Sequence, residues 1–271
     1  MSNWTNTLKF MVAVLVGWLV LGAQASERPK FVLIVNSTEE RTSREGEQFV
    51  PLIRSVPGWE NTDTRLVWVG DFGPWLMQLQ PKPLAIFLSG SFKDWCEVNR
   101  EHWAGVEQVL KQKSVPIWAS CGGAQALAII SETGTHKQWD CPHCRDVHAP
   151  KLPIYTHLGH QIPGKACGDY SGCVFEKGVT SIHVLRRDEV FDGLFDEFNV
   201  MESHCGQIAR PPRGWDLIAT AGEGSLTRVQ CIKRRGAPIY AAQFHVEMKG
   251  TPESSYHIMR NFLAEVERWW N

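Results

Sequence analysis

The sequence predicts an α/β fold of three layers: a mostly parallel central sheet with helices on both faces. Three observations carry that expectation. Short, continuous apolar runs rich in β-branched and aromatic residues recur through the first half of the chain, and amphipathic stretches separate them. Runs that are apolar on both sides of the strand belong to sheets covered on both faces, where parallel strands are found. The chain then closes on a stretch whose apolar residues recur at helical spacing. A composition of 43% hydrophobic, 10% aromatic and 21% charged residues excludes a collagen, a coiled coil or a disordered tail. Lys plus Arg is 28 against 29 Asp plus Glu, a net charge of −1. That balance supplies no general attraction to nucleic acid or to an anionic membrane, and neither is expected as a partner.

The first segment reads as a targeting signal rather than as fold. Met1 to Lys9 holds one cation and no acid, Phe10 to Gly22 is continuously apolar, and Ala23-Gln24-Ala25 follows. This is the pattern of a secretory signal cleaved after Ala25. The apolar run is shorter than the roughly 20 residues that span a bilayer. Residues 1–25 are therefore expected to be a signal peptide. Residues 26–271 would form one exported domain, periplasmic or secreted, with no membrane association after cleavage.

The elements of that domain follow in order. Phe31 to Val35, Leu66 to Val69 and Leu84 to Leu88 read as buried strands, the third ending in Ser89-Gly90-Ser91. Between Asn99 and Lys113, Trp103, Val106, Val109 and Leu110 recur at helical spacing. Val115 to Ala119 is a fourth strand, running through Ser120-Cys121-Gly122-Gly123 into the helical Ala124 to Ile130. The second half looks antiparallel, with strands at Val179 to Leu185, Phe198 to Glu202, Trp215 to Ala219, Thr227 to Ile232 and Ile239 to Phe244. In the last helix Thr251 is placed to cap and Pro252 suits the first turn. Ile258, Met259, Phe262, Leu263, Val266 and Trp269 form its stripe.

The turn at Cys121 is where chemistry is expected. A strand that turns sharply through Ser-Cys-Gly-Gly into a helix pushes the thiol out of the sheet, and the glycines permit strained dihedrals and close backbone approach. At a helix N-terminus the dipole and free amides favour thiolate over thiol. The Gly122 amide is also placed to donate to an oxyanion formed by attack of Cys121 on a carbonyl. A cysteine nucleophile needs a base, and the base needs an orienting group. His245 and Glu247, two residues apart just past the Ile239 to Phe244 strand, can supply both.

Cys121 within Ala-Ser-Cys-Gly-Gly-Ala-Gln, with Gln-Phe-His-Val-Glu far downstream, resembles the class I, triad-type glutamine amidotransferase domain. It is similar to the glutaminase domain of GMP synthase and to the γ-glutamyl hydrolases. Of the family's G-x-C-x-G-x-Q elbow, Cys121, Gly123 and Gln125 match, while Ala119 replaces the first glycine. The family's H-P-E is His245-Val246-Glu247, and its S-G-G loop is Ser89-Gly90-Ser91. Where the family has S-H-x-D, this chain has Ser203-His204-Cys205-Gly206. The resemblance implies catalysis by Cys121, His245 and Glu247, with an oxyanion hole at Gly90 and Gly122. It also implies substrate contacts from Gln125, His204, Cys205 and Gly206. The expected substrate is a small-molecule amide, a glutamine or γ-glutamyl amide cleaved through a Cys thioester with no cofactor required. Export favours a stand-alone amidohydrolase over an ammonia-feeding subunit. A non-catalytic binding or scaffold protein on the same fold is the alternative.

A Cys/His-rich insertion at about 131–175 stands outside that pattern. It holds Cys141, Cys144, Cys167 and Cys173, with His136, His148, His157 and His160. Disulfides, a structural zinc site on the four cysteines and a redox dithiol at Cys141-Pro142-His143-Cys144 all remain open there. Cys96, Cys205 and Cys231 read as packed or paired cysteines.

Overall fold

The structure, a computed structural model, describes residues 31–78, 80–138, 154–159 and 170–271. In chain order its strands are β1 (Phe31–Asn36), β2 (Asp63–Trp68), β3 (Ile86–Leu88), β4 (Ile117–Ser120), β5 (Tyr155–His157), β6 (Glu176–Val184), β7 (Glu197–His204), β8 (Gly206–Ile208), β9 (Trp215–Ala221), β10 (Cys231–Arg234) and β11 (Ile239–Ala242). The helices are α1 (Phe49–Arg54), α2 (Ala104–Gln112), α3 (Gly122–Thr133) and α4 (Glu253–Trp270). One nine-stranded sheet runs β2-β1-β3-β4-β11-β10-β9-β6-β7, and β5 pairs with β8 separately. From β2 to β11 every neighbour is parallel. From β11 to β7 every neighbour is antiparallel. The expected α/β class and the change of strand direction between the halves are both realised.

The strands are continuous apolar runs because both faces of the sheet are covered. Alternate residues separate into two cores. Leu33, Val35, Leu88, Ile117, Ala119 and Ile239 meet α2 and α3 on one face. Val32, Ile34, Phe87, Trp118 and Tyr240 meet α1 and α4 on the other. This is the two-residue strand period applied to central strands with no solvent side, whereas β2, β6 and β7 keep exposed residues. Each fully buried large side chain contributes roughly 1.5–3 kcal/mol. Among the described residues no helix is long and apolar enough to cross a membrane.

Three expectations need correction. The apolar run of the second strand predicts burial, but β2 is an edge strand paired only with β1, and Leu66 is 40% exposed. The strand expected from Thr227 begins instead at Cys231, because the register shifts between Cys231 and Ile232 and the Thr227 hydroxyl bonds to Glu176. Thr251 does not cap the last helix. Pro252, with extended backbone at ψ 161°, is the capping residue, and the helix starts at Glu253. Residues 1–25, the expected signal, lie outside the described residues, as do Cys141, Cys144, Cys167, His148 and His160.

Candidate active site

The parallel half of the sheet brings the site together. β4 and β11 are parallel neighbours with Ser120 opposite Ala242, so the residues that follow them leave the sheet side by side at its carboxyl edge. Ligands of open α/β sheets bind at such an edge. The Cys121 amide fixes the exit by donating to the Ala242 carbonyl at 2.8 Å. Cys121 then has φ 47° and ψ −112°, a conformation sparsely populated by side-chain-bearing residues that costs about 1–3 kcal/mol. That strain turns the sulfur off the end of the strand, directly before the first residue of α3.

The glycines around it are sterically required. A Cβ on Gly90 would stand 3.0 Å from His245 Cε1 and 3.6 Å from Cys121 Cβ. A Cβ on Gly122 would fall 2.4 Å from the Ser91 amide nitrogen. Gly123 donates to the Ser89 carbonyl at 3.0 Å, locking the β3 loop onto the start of α3. Gly90 and Gly122, the two residues expected to hold the oxyanion, both border the sulfur.

His245 and Glu247 complete the group. Nδ1 of His245 is 2.7 Å from Glu247 Oε1, which leaves Nε2 free, and the His245 and Cys121 side chains meet beside Gly90, with the Cys121 sulfur 4.0 Å from the Ser203 carbonyl. Glu247 Oε2 accepts a 2.8 Å hydrogen bond from the Ser120 hydroxyl, which itself accepts one from Trp118 Nε1 at 3.2 Å. Both oxygens of the carboxylate are therefore occupied. The His245 amide donates to the Met201 carbonyl at 2.8 Å, tying the loop to β7. Burial pulls the His245 pKa down, but the Glu247 carboxylate and the neighbouring Cys121 outweigh it and hold the value well above that of an ordinary histidine. An imidazole kept charged beside a sulfur stabilises thiolate, the nucleophilic form.

The four expected substrate contacts, Gln125, His204, Cys205 and Gly206, line a cavity that Cys121 also borders. The Gln125 amide is committed inside the protein: its oxygen accepts from Trp95 Nε1 at 3.0 Å, and its nitrogen donates to the Gly206 carbonyl at 2.8 Å. Gly206 lacks a side chain because the Tyr155 hydroxyl would lie 2.2 Å from its Cβ. Gln125 and Gly206 thus hold each other, and hold the wall of the site. His204 turns its imidazole toward Glu202, 3.0 Å away. The Cys205 thiol is pushed up to about 12 by burial and by the charges of Cys173 and Asp94, which keeps it protonated at neutral pH.

The cleft over Cys121 is lined by Glu45, Gln48, Phe92, Ser203 and Met248. A second cavity shares Ser91, Phe92, Cys121 and Ser203 with that cleft and extends to Gln125, Tyr155, Tyr170, Phe175, Glu176, His204, Cys205 and Gly206. Sequence reasoning misses Ser120 and Phe92, although each adjoins a recognisable motif. Ser91, which lines both cavities, has a buried Oγ with no hydrogen-bond partner among the described residues. Of the other cysteines, Cys96 is disulfide-bonded and Cys231 is a buried free thiol. Among the described residues one group is close enough to share a metal ion, Glu176, Glu202 and His204, and Cys173 is not part of it.

Comparison with known proteins agrees with this geometry. The family model "Glutamine amidotransferase class-I" matches residues 61–266. The glutamine-hydrolysing GMP synthase subunit of Saccharolobus solfataricus is 31% identical over 124 residues, covering 45% of this chain and 63% of that relative. The chain thus spans less than two thirds of that relative's length. The corresponding GMP synthase subunit of Methanocaldococcus jannaschii is 32% identical over 173 residues, covering 61% of this chain and 89% of its own. Two solved structures share the fold. One is a protein of Thermoplasma acidophilum provisionally described as a GMP synthase subunit, with TM-score 0.61 and 20% identity over 89% of this chain and 96% of the other. The second is a glutamine amidotransferase of Thermotoga maritima, with TM-score 0.53 and 14% identity over 89% and 86%.

Proposed function

The chain belongs to the class-I glutamine amidotransferase family, and from that premise we propose that it is an exported cysteine amidohydrolase cleaving a glutamine or γ-glutamyl amide. The observation that carries the proposal is the Cys121, His245 and Glu247 group, with the nucleophile held in a strained turn beside two glycines. Relatives named as glutamine-hydrolysing support the amide as the scissile group.

The residues divide the work as follows. The Cys121 thiolate attacks the carboxamide carbon, and the developing oxyanion is held by the amides of Gly90 and Gly122. The Ser91 hydroxyl, without a hydrogen-bond partner among the described residues, is a further donor beside the cavity. As the tetrahedral species collapses, the C–N bond breaks and His245 gives its proton to the departing nitrogen, leaving a γ-glutamyl thioester. Water then attacks the thioester while neutral His245 takes its proton. The carboxylate leaves and the Cys121 thiolate is restored beside imidazolium. Glu247 holds the ring in the tautomer that this exchange needs, and Ser120 holds Glu247.

The N-terminal pattern supports export, which favours a stand-alone hydrolase over delivery of ammonia to a synthetase. Phe92 and Phe175, 72% and 62% exposed beside the site, favour a γ-glutamyl conjugate with an apolar leaving group over free glutamine. Turnover of glutamine and of a γ-glutamyl anilide by the purified protein tests this. We expect hydrolysis of both, faster for the anilide, and lost in Cys121→Ala. No hydrolysis of either by correctly folded protein contradicts the proposal.

A further inference from the structure

Beside the cavity that Cys121 borders, β6 and β7 carry a second polar group that the proposed reaction does not use. Glu176 and His204 are directly opposed across the two strands, and Glu202 lies two residues before His204, so all three side chains share one face. That face is the inner one: Glu176 is 3%, Glu202 0% and His204 2% exposed at the side chain. One donor atom from each lies within 4.8 Å of the other two. Nε2 of His204 is 3.0 Å from Glu202 Oε2 and 3.5 Å from Glu176 Oε2.

Their hydrogen bonding is incomplete in a way that points to a ligand. Glu176 is satisfied, accepting from the Leu226 amide at 2.8 Å and the Thr227 hydroxyl at 2.7 Å. Glu202 is not: its Oε2 meets only the Nε2 of His204, as an ion pair outside hydrogen-bond geometry, and among the described residues neither Glu202 Oε1 nor His204 Nδ1 has a hydrogen-bond partner. Among the described residues no lysine or arginine bridges either buried carboxylate, and His204 is the one side chain that contacts both. Nearby Gly178, directly opposite Glu202 on β6, places no side chain against it.

We propose that Glu176, Glu202 and His204 bind a divalent first-row transition cation of the zinc class. Such a cation would balance both carboxylate charges and take up the free lone pairs of Glu202 and of His204. Two carboxylates and an imidazole form a nitrogen–oxygen set suited to zinc or its neighbours. Ser203, between two of the ligands, lines the cleft over Cys121, and Glu176 and His204 border the adjoining cavity that Cys121 also lines. The cation would therefore pin β6 to β7 beside the active-site cavity, a structural role independent of the hydrolase assignment.

Metal uptake by the full chain after chelator treatment tests the site, read by equilibrium dialysis, cobalt absorption and thermal unfolding with zinc. We expect one cation held by nitrogen and oxygen, so that bound Co2+ shows d–d bands without a thiolate charge-transfer band. Zn2+ should raise Tm by binding the folded state. Glu202→Gln, which keeps the volume and removes the charge, should lose that equivalent and the zinc-induced rise, with affinity at least about tenfold lower. Uptake unchanged in Glu202→Gln overturns the proposal. Should that variant fail to fold, the cobalt spectrum of the unsubstituted protein decides: a nitrogen–oxygen spectrum upholds the site, and thiolate bands alone or no binding overturn it.

Discussion

Two three-residue groups, Cys121/His245/Glu247 and Glu176/Glu202/His204, contribute to one cavity, and they are built on opposite principles. The first stands at the carboxyl ends of parallel strands and opens to a cleft. Its imidazole and carboxylate are satisfied within the protein, and its cost is stored in the backbone of Cys121. The second lies on paired antiparallel strands, closed to solvent, with ordinary strand backbone and unsatisfied side chains. Strain in the backbone with complete hydrogen bonding describes a group prepared to react. Relaxed backbone with incomplete hydrogen bonding describes one prepared to hold something.

The largest expected effect separates the groups by activity. Cys121→Ala should lower kcat by on the order of 10⁴-fold or more, as loss of a nucleophile does, whereas Glu202→Gln should leave the steady-state rate within a few-fold when the fold is intact. Equal losses in the two variants would erase the distinction. Next in size is Gly90→Ala, whose new Cβ would press 3.0 Å from His245 Cε1. It should cost roughly 10²–10³ in kcat, the scale of a lost oxyanion donor, with little change in Tm.

Stability should move in opposite directions. Cys121→Gly relieves a positive φ and is expected to raise the unfolding free energy by up to about 1–3 kcal/mol, less the added flexibility of the unfolded glycine. Glu176→Ala strands the Leu226 amide and the Thr227 hydroxyl and should lower it by about 1–3 kcal/mol per donor. Chemical denaturation of the pair checks both signs. Ser120→Ala should have a smaller effect. It leaves Glu247 Oε2 without its donor and should reduce kcat/KM about tenfold, from a loss of about 1–3 kcal/mol, while KM changes little.

The smallest effect is in pH. The folded His245 pKa is raised above its unfolded value, so its contribution to stability is complete below about 6.5 and is lost as pH climbs through the raised folded value. The Tm difference between the protein and His245→Gln should accordingly be largest in mild acid and shrink toward alkaline pH. A difference that grows with pH would reverse the assigned sign.

The active group is legible in the sequence because its parts are local signals. Gly122 and Gly123 after a continuous apolar strand mark the turn, and His245-Val246-Glu247 follows soon after the last strand. Ser120 lies within the same elbow, yet only the fold shows its hydroxyl reaching a carboxylate across 127 positions. Gln125 reads as a substrate contact because its motif is shared with the family. Its partners Trp95 and Gly206 are far away in sequence, so its amide's commitment inside the wall does not follow from spacing. The Glu176 group is invisible for the same reason. Its ligands come from two strands whose pairing register is fixed by tertiary structure, and Glu202 reads as an ordinary solvated acid until burial is known. Thr251 fails as a cap because the extended backbone of Pro252 delays the helix by one residue.

The central claim is that one sulfur, Cys121, is the nucleophile activated by His245. Treatment with the glutamine analogue diazo-oxo-norleucine followed by peptide mass spectrometry tests it most directly. We predict one adduct per chain, on Cys121, formed at least about tenfold more slowly in His245→Ala. An adduct on Cys205 or Cys231, or none on folded protein, would contradict it.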